Sequence, residues 1–183
     1  GLRVAVLGLS MTGFSVADTL TELGADVLVL SESAEEEYSR LLPVIGARLE
    51  LGSLQEVPAA LRDFDAEVVI ASPGFAPSHP IISWAQGERI AIWGDIELAW
   101  RVRDKVSRPD GTPADWVLIT GTNGKTTTTQ LTASLLVAGG LRAAPCGNIG
   151  VPVLDAVRDP AGFDVLVVEL SSHQLWYLGL SRP

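Results

Sequence analysis

Short apolar runs alternate along this chain with segments in which apolar residues recur at helical spacing. Apolar runs predict strands at residues 3–7, 27–30, 68–71, 90–93, 116–120 and 165–169. Helical spacing predicts helices at about residues 13–23 and 127–138. Strands that alternate with helices are typical of βαβ units and a largely parallel sheet. The pattern therefore predicts an α/β protein.

The periodic pattern breaks once, between residues 103 and 115. This stretch, RDKVSRPDGTPAD, is charged and carries two prolines and one glycine. Such a change of composition is typical of a domain boundary. We therefore predict a first, Rossmann-like domain at 1–103, a linker at 104–115 and a second, P-loop-type α/β domain at 116–183.

A glycine-rich turn follows the predicted strand 116–120 and ends in Lys-Thr. Glycines allow a tight backbone whose N–H groups point at phosphate oxygens, ahead of a helix N-terminus. Lys125 would reach the β- and γ-phosphates, and the Thr126 hydroxyl would hold Mg²⁺. The alternative is a strand-to-helix turn with no ligand. The predicted ATP-binding residues are Gly121, Thr122, Asn123, Gly124, Lys125, Thr126 and Thr127.

Two further segments of the second domain carry polar groups. Glu169 ends an apolar strand, and in P-loop proteins such a carboxylate helps to hold Mg²⁺. With Thr126 it forms the predicted metal site, and with Lys125 the predicted catalytic pair. Asn148 lies between two glycines and presents an amide to a ligand, unless the segment is a simple turn.

The first domain has Gly8 and Gly13 where dinucleotide-binding proteins carry G-x-G-x-x-G. The middle glycine, which lets the backbone approach a pyrophosphate, is Ser10, and this argues against ordinary NAD or FAD binding. Glu32 follows the second strand, where an acid accepts from a ribose hydroxyl. A purely structural turn is the alternative. The second candidate turn of this domain comprises Ser72, Pro73 and Gly74.

Composition narrows the classes of function. The 183 residues carry a formal net charge of −9, which disfavours nucleic acid and anionic membranes as partners. The single cysteine cannot form an internal disulfide, and no run approaches 18 apolar residues. We expect a cytoplasmic protein. Lysine occurs only at Lys105 and Lys125. A lysine in the glycine-rich loop is therefore harder to explain as one of many solubilising surface charges.

Six motifs occur together in one order along the chain. They are ASPG at 71–74, HPII at 79–82, GDIEL at 94–98, GTNGKTT at 121–127, GNIG at 147–150 and ELSSHQL at 169–175. With these motifs the chain resembles the amino-terminal part of a Mur ligase, and most closely the members that add D-glutamate.

The resemblance implies an ATP- and Mg²⁺-dependent amide ligase of peptidoglycan precursor synthesis. The γ-phosphate would pass to the carboxylate of UDP-N-acetylmuramoyl-L-alanine, and the amine of D-glutamate would then displace phosphate from the acyl phosphate. By the same resemblance, UDP-substrate contacts fall on Ser10, Met11, Thr12, Gly13, Ser72, Pro73 and Gly74. Asn148 and Ser171 would lie near the substrate and metal.

The chain departs from the family pattern in two ways. Mur ligases have three domains, a further metal-binding His, a carbamylated Lys and a domain that binds D-glutamate. By this resemblance we expect the domain at 116–183 to be an incomplete central domain and this chain to be inactive alone. Ser31 and Glu32 replace the usual Asp and hydroxyl residue. The alternatives are another Mur ligase, a folylpolyglutamate synthase-like ligase or a non-catalytic P-loop module. A GTPase is disfavoured because no N-K-x-D run occurs.

Overall fold

The computed structural model describes residues 1–178. Two compact units make up the chain, Gly1–Asp95 and Ile96–Pro183. The last five residues of the predicted second domain, 179–183, lie outside the described residues. The predicted linker at 104–115 stays a prediction, although the division between the units falls before it.

The first unit is a five-stranded parallel sheet with the strand order β3-β2-β1-β4-β5. Its strands are β1 (Arg3–Leu7), β2 (Asp26–Ser31), β3 (Arg48–Leu51), β4 (Val68–Ala71) and β5 (Ala91–Gly94). Its helices are α1 (Met11–Glu22), α2 (Glu36–Ile45), α3 (Ala59–Phe64) and α4 (Pro80–Gly87).

The strand order of this sheet reverses beside β1. Strands β2 and β3 extend the sheet on one side of β1, and β4 and β5 extend it on the other. In open α/β sheets, ligands bind beyond the carboxyl ends of the strands at such a switch point. The segments that follow β1, β2 and β4 therefore form the first candidate site.

The second unit has a three-stranded parallel sheet with the order β6-β8-β7. Its strands are β6 (Asp115–Ile119), β7 (Ala143–Gly147) and β8 (Val165–Glu169). Its helices are α5 (Asp95–Arg101, the first residue of which belongs to the first unit), a 3₁₀ helix (Arg103–Lys105), α6 (Lys125–Ala138), α7 (Val153–Arg158) and α8 (Ser172–Tyr177).

The central strands carry the apolar cores. All residues of β1 from Val4 to Leu7 are fully buried, and every residue of β8 is buried. Burial of such side chains stabilises each sheet by about 25 cal/mol per Å² of apolar surface. Among residues 1–178, no helix is long and apolar enough to cross a membrane.

The α/β class and the parallel sheets are confirmed. Strands β1, β4 and β8 have the predicted bounds, and β5 and β6 are shifted by one residue. Two strands, β3 and β7, were not predicted. The charged stretch after α5 is folded: Arg108 donates to Thr112 Oγ1 (2.9 Å) and pairs with Asp115 (3.0 Å).

Candidate functional site

The glycine-rich loop connects β6 to α6 in the second unit. Gly124 precedes the helix with φ +73°, a left-handed conformation that glycine adopts without steric cost. The 14-residue helix α6 begins at Lys125 and directs its positive end at the loop. Residues 121–124 are exposed to solvent. This is the geometry of an anion-binding strand–loop–helix turn.

Lys125 lies in the first turn of α6 and folds back over the loop. Its Nζ donates to the carbonyl oxygen of Gly121 at 3.0 Å. The bond keeps the ammonium group beside the backbone that would surround phosphate oxygens. Strand, loop and helix thus bring all seven predicted ATP-binding residues together.

Glu169 ends β8 beside this loop. In the parallel register Ile119 of β6 pairs with Glu169, so the carboxylate lies where the loop begins. The Thr126 hydroxyl donates to Glu169 Oε2 at 2.8 Å, and Glu169 is only 3% exposed. Residues 43 positions apart are therefore joined by a charge-assisted hydrogen bond.

The end of β7 approaches Glu169 from the other side. Gly147 pairs with Glu169 in the register, and the Asn148 N–H donates to the Glu169 carbonyl oxygen at 3.0 Å. The Asn148 side-chain amide lies 3.4 Å from Glu169 Oε1, a long hydrogen bond. Both oxygens of the carboxylate thus have donors, from Thr126 in the first turn of α6 and from Asn148 after β7.

Ser171 is the N-cap of α8 and lies two residues after Glu169. Its hydroxyl accepts from the Gln174 N–H at 3.2 Å, and the Gln174 side chain accepts from the Ser171 N–H at 2.9 Å. This reciprocal pair is a capping box. Ser171 therefore has a structural role in the described chain, and its predicted substrate contact stays a prediction.

The first candidate turn of the first unit joins β1 to α1. Ser10 caps α1, and its Oγ lies 3.5 Å from the Gly13 N–H. A Cβ on Gly13 would lie 2.0 Å from the Gly8 carbonyl oxygen, so only glycine fits there. Met11 is exposed and Thr12 is half-buried at the same helix start.

The second turn, after β4, lies against the first. The Ser72 hydroxyl is 3.4 Å from the Gly8 carbonyl oxygen, and Ser72 is buried. The Phe75 N–H donates to the Ser72 carbonyl oxygen at 3.0 Å, which closes a turn around Pro73 and Gly74. The predicted contacts at 10–13 and 72–74 thus share the switch point of the sheet.

Glu32 follows β2 at the same edge of the sheet. Its carboxylate accepts from the Leu54 N–H at 3.2 Å and from Gln55 Nε2 at 3.3 Å. These two hydrogen bonds hold the pKa of Glu32 below its ordinary value. Partial burial lowers the pKa of His79, the N-cap of α4, and the Glu32 charge opposes that effect.

Family models match both units of the chain. The model of the Mur ligase MurD-like N-terminal domain matches residues 2–94, and the model of the Mur ligase middle domain matches residues 119–181. The chain belongs to the Mur ligase family. The resemblance found in the six motifs is thereby confirmed.

Two curated relatives of this Mur ligase chain carry the same enzyme name. The UDP-N-acetylmuramoylalanine--D-glutamate ligase of Leifsonia xyli is 61% identical over 181 residues, which cover 97% of the chain and 35% of the relative. The enzyme of that name from Tropheryma whipplei (strain Twist) is 51% identical over 175 residues. These cover 96% of this chain and 35% of the relative. The chain thus spans about a third of the length of these relatives.

Solved structures share the fold of this Mur ligase chain. A murein peptide ligase from Psychrobacter arcticus has a TM-score of 0.54 at 18% identity, covering 99% of the chain and 40% of its own. A pseudomurein peptide ligase type C from Methanothermus fervidus has a TM-score of 0.52 at 23% identity. The match covers 92% of this chain and 33% of the ligase chain. At these identities the likeness shows the fold alone.

The donor set near the Mur ligase loop suits a hard cation. Thr126 and Glu169 place a hydroxyl and a carboxylate oxygen 2.8 Å apart. Mg²⁺ keeps several waters and takes one or two carboxylates together with substrate phosphates. No cluster of three or more His, Cys, Asp or Glu side chains occurs within residues 1–178, and Mg²⁺ does not need one.

Several contributors to these Mur ligase sites escaped the sequence reasoning. Thr120 donates to the Leu170 carbonyl oxygen at 3.1 Å and thereby ties the loop to the end of β8. Gln55 fixes Glu32 from a loop that carries no motif. The bond between Ser171 and Gln174 is the one contact of this group that the sequence could have predicted, because Ser-x-x-Gln is a capping-box pattern.

Proposed function

We propose that this chain supplies the ATP-binding and UDP-substrate-binding parts of a Mur ligase that adds D-glutamate to UDP-N-acetylmuramoyl-L-alanine. The observation that carries the proposal is the 2.8 Å bond from Thr126 to Glu169, which joins the loop to the strand end. The names of the relatives at 61% and 51% identity support the substrate. Substrate contacts and the choice of amino acid belong to this proposal.

The loop would hold the phosphates of ATP by charge and by backbone N–H groups. Lys125 exchanges its bond to the Gly121 carbonyl for the β- and γ-phosphate oxygens, and its ammonium offsets the charge that develops on the transferring phosphoryl group. The N-terminus of α6 adds its dipole to the same oxygens. Lys125 is therefore the proposed catalytic residue of the loop.

Thr126 and Glu169 would hold Mg²⁺. When bound, the cation would neutralise part of the negative charge of the phosphates. Glu169 is buried, and donors from Thr126 and Asn148 orient its carboxylate before any ligand arrives. This preorganisation favours a single arrangement of the phosphate chain.

The first unit would bind the UDP part of the substrate at its switch point. The positive end of α1 and the hydroxyls of Ser10 and Ser72 suit a diphosphate. Gly13 allows the helix start to approach the Gly8 backbone closely. Transfer of the γ-phosphate to the substrate carboxylate would give an acyl phosphate. The D-glutamate amine would then attack this acyl phosphate, with loss of phosphate.

The test is phosphate release by the full-length protein, supplied with ATP, Mg²⁺, UDP-N-acetylmuramoyl-L-alanine and D-glutamate. We expect Lys125→Ala to lower the rate by about a hundredfold or more, because a charge that stabilises the transition state is lost. Lys105→Ala is the matched control, since it removes the only other lysine charge of the chain.

Two results would contradict the proposal. Turnover of Lys125→Ala at the rate of Lys105→Ala would remove the loop from the chemistry. Phosphate release that depends on L-alanine and UDP-N-acetylmuramate, and not on D-glutamate, would assign the chain to a different Mur ligase.

A further inference from the structure

Strand β3 forms one edge of the first sheet. Within residues 1–178 it pairs with β2 alone, in parallel register. The Gly52 N–H, directly after β3, donates to the Ser31 carbonyl oxygen of β2 at 3.1 Å. Backbone groups of alternate residues along a strand point to opposite sides, so those of Leu49 and Leu51 point away from β2. They form an unpaired row of donors and acceptors at the sheet edge.

The side chains of β3 give this edge a charged face and an apolar face. Arg48 and Glu50 lie on one face, and Leu49 and Leu51 lie on the other, because successive side chains of a strand alternate. Leu51 is 52% exposed. Edge strands that resist pairing with a second chain commonly carry lysine or proline, and β3 carries neither.

Two contacts hold the Arg48 side chain in place. Its Nη2 donates to both carboxylate oxygens of Asp26 at 3.0 Å, and its guanidinium lies 4.7 Å from the centroid of the Phe64 ring. No hydrogen bond of the described chain uses its Nη1. The exposed carboxylate of Glu50 has no hydrogen bond or ion pair within residues 1–178. The edge therefore presents a positioned donor and an unpaired acceptor, two residues apart.

We propose that β3 is the interface of a two-fold dimer, in which β3 of one chain pairs antiparallel with β3 of a second copy. With the two-fold axis at Leu49, each Leu49 exchanges both backbone hydrogen bonds with its counterpart. The same register places Arg48 of each chain opposite Glu50 of the other. Such opposite-charge pairs stabilise neighbouring strands. An axis at Leu51 would instead place Glu50 opposite Gly52 and leave both charges unpaired.

The experiment is sedimentation velocity of the full-length protein over a series of concentrations. Wild type should pass from monomer to dimer as the concentration rises. Glu50→Arg places like charges opposite each other in both cross-strand pairs, so we expect the dimer to weaken by about tenfold or more. Glu88→Arg makes the same change of charge at the exposed end of α4, which leads to the opposite edge strand β5. This control should dimerise as wild type does.

A mixture of two variants tests the register. Arg48→Glu alone places two carboxylates opposite each other in both pairs, whereas a mixed dimer of Arg48→Glu with Glu50→Arg has opposite charges in both. We expect the mixture to dimerise and each variant alone to stay monomeric. Thermal melting shows whether Arg48→Glu still folds without its bonds to Asp26. If it does not fold, Glu50→Arg and amide exchange decide the matter.

Hydrogen exchange at the Leu49 amide measures the backbone pairing directly. Exchange should slow as the concentration of wild type rises, and it should stay fast in Glu50→Arg. Three results would each overturn the inference. They are a wild-type protein that stays monomeric up to about 1 mM, a dimer that Glu50→Arg leaves unchanged, and a dimer in which the Leu49 amide exchanges as fast as in the monomer.

Discussion

At the scale of single residues, Gly147 shows how the end of a strand can shape a site. Its φ is +99°, and a Cβ there would lie 2.5 Å from the Glu169 carbonyl oxygen. Gly140 also has a positive φ, +89°, but nothing lies within 4 Å of its Cβ position. A comparison of Gly140 with Gly147 therefore separates the cost of a left-handed backbone from the cost of a collision with neighbouring backbone atoms.

We expect Gly140→Ala to destabilise the second unit by about 1–2 kcal/mol, the strain of a left-handed residue. Gly147→Ala should destabilise it by more, and should also weaken ATP-Mg²⁺ binding, because the end of β8 must move away from the new methyl group. Thermal melting and nucleotide titration measure the two effects. Equal behaviour of the two variants would contradict the close approach at Gly147.

The strand–loop–helix turn at 121–127 was predictable because its sequence pattern is local, and its binding of phosphate stays a prediction. A strand, a Gly-rich turn and Lys-Thr stand in one short segment, and the structure joins them in one loop. Glu169 was predictable from its place at the end of an apolar strand. The donors from Asn148 and Gln55 were not, since they depend on strand register and on a loop with no motif.

At the scale of elements, helix α4 has an uncommon cap. A histidine accepts the Ile81 N–H, and it can do so only when it is neutral. Burial lowers the pKa of His79 from 6.5, so the unfolded chain binds a proton more readily than the folded one. The stability from this group is present above about pH 6.5 and is lost as the pH falls through the folded pKa.

We therefore expect the melting temperature to fall between pH 7.5 and about 5.5 more steeply in wild type than in His79→Asn. The Glu32 carboxylate does not add to this window, because its pKa lies below 4.5. An unchanged slope in His79→Asn would show that the cap does not titrate.

Two strands escaped prediction for reasons that lie in their composition. β3 reads RLEL, only four residues with charged and apolar positions in turn, and among residues 1–178 it pairs only with β2. β7 reads AAPCG, in which Ala, Pro and Gly all have low strand propensity. Proline is tolerated there because, within residues 1–178, β7 pairs with β8 alone and is an edge strand.

At the scale of the whole molecule, local pattern predicted parallel sheets but not the order of their strands. Strand order depends on pairings between distant segments, such as β1 with β4 and β6 with β8. The order places the switch point between β1 and β4, and this is what brings the Ser72 hydroxyl to the Gly8 carbonyl oxygen. The sequence alone contains no signal for that proximity.

This switch point also predicts ligand choice. We expect the full-length protein to bind UDP-N-acetylmuramoyl-L-alanine more tightly than NAD, because Ser10 replaces the glycine that lets the backbone approach a dinucleotide pyrophosphate. Calorimetric titration with both ligands measures the difference. Ser10→Gly tests the cause, since it should narrow the gap by admitting NAD. Tighter binding of NAD by wild type would refute the prediction.

Cys146, the only cysteine of the chain, is fully buried in β7, and burial raises the pKa of its thiol to about 12. A thiol in that state neither ionises nor meets reagents while the sheet stays closed. Oxidants and alkylating agents can then modify only molecules in which the second sheet has opened. The rate at which this thiol is modified under oxidising conditions therefore measures how often the second sheet opens.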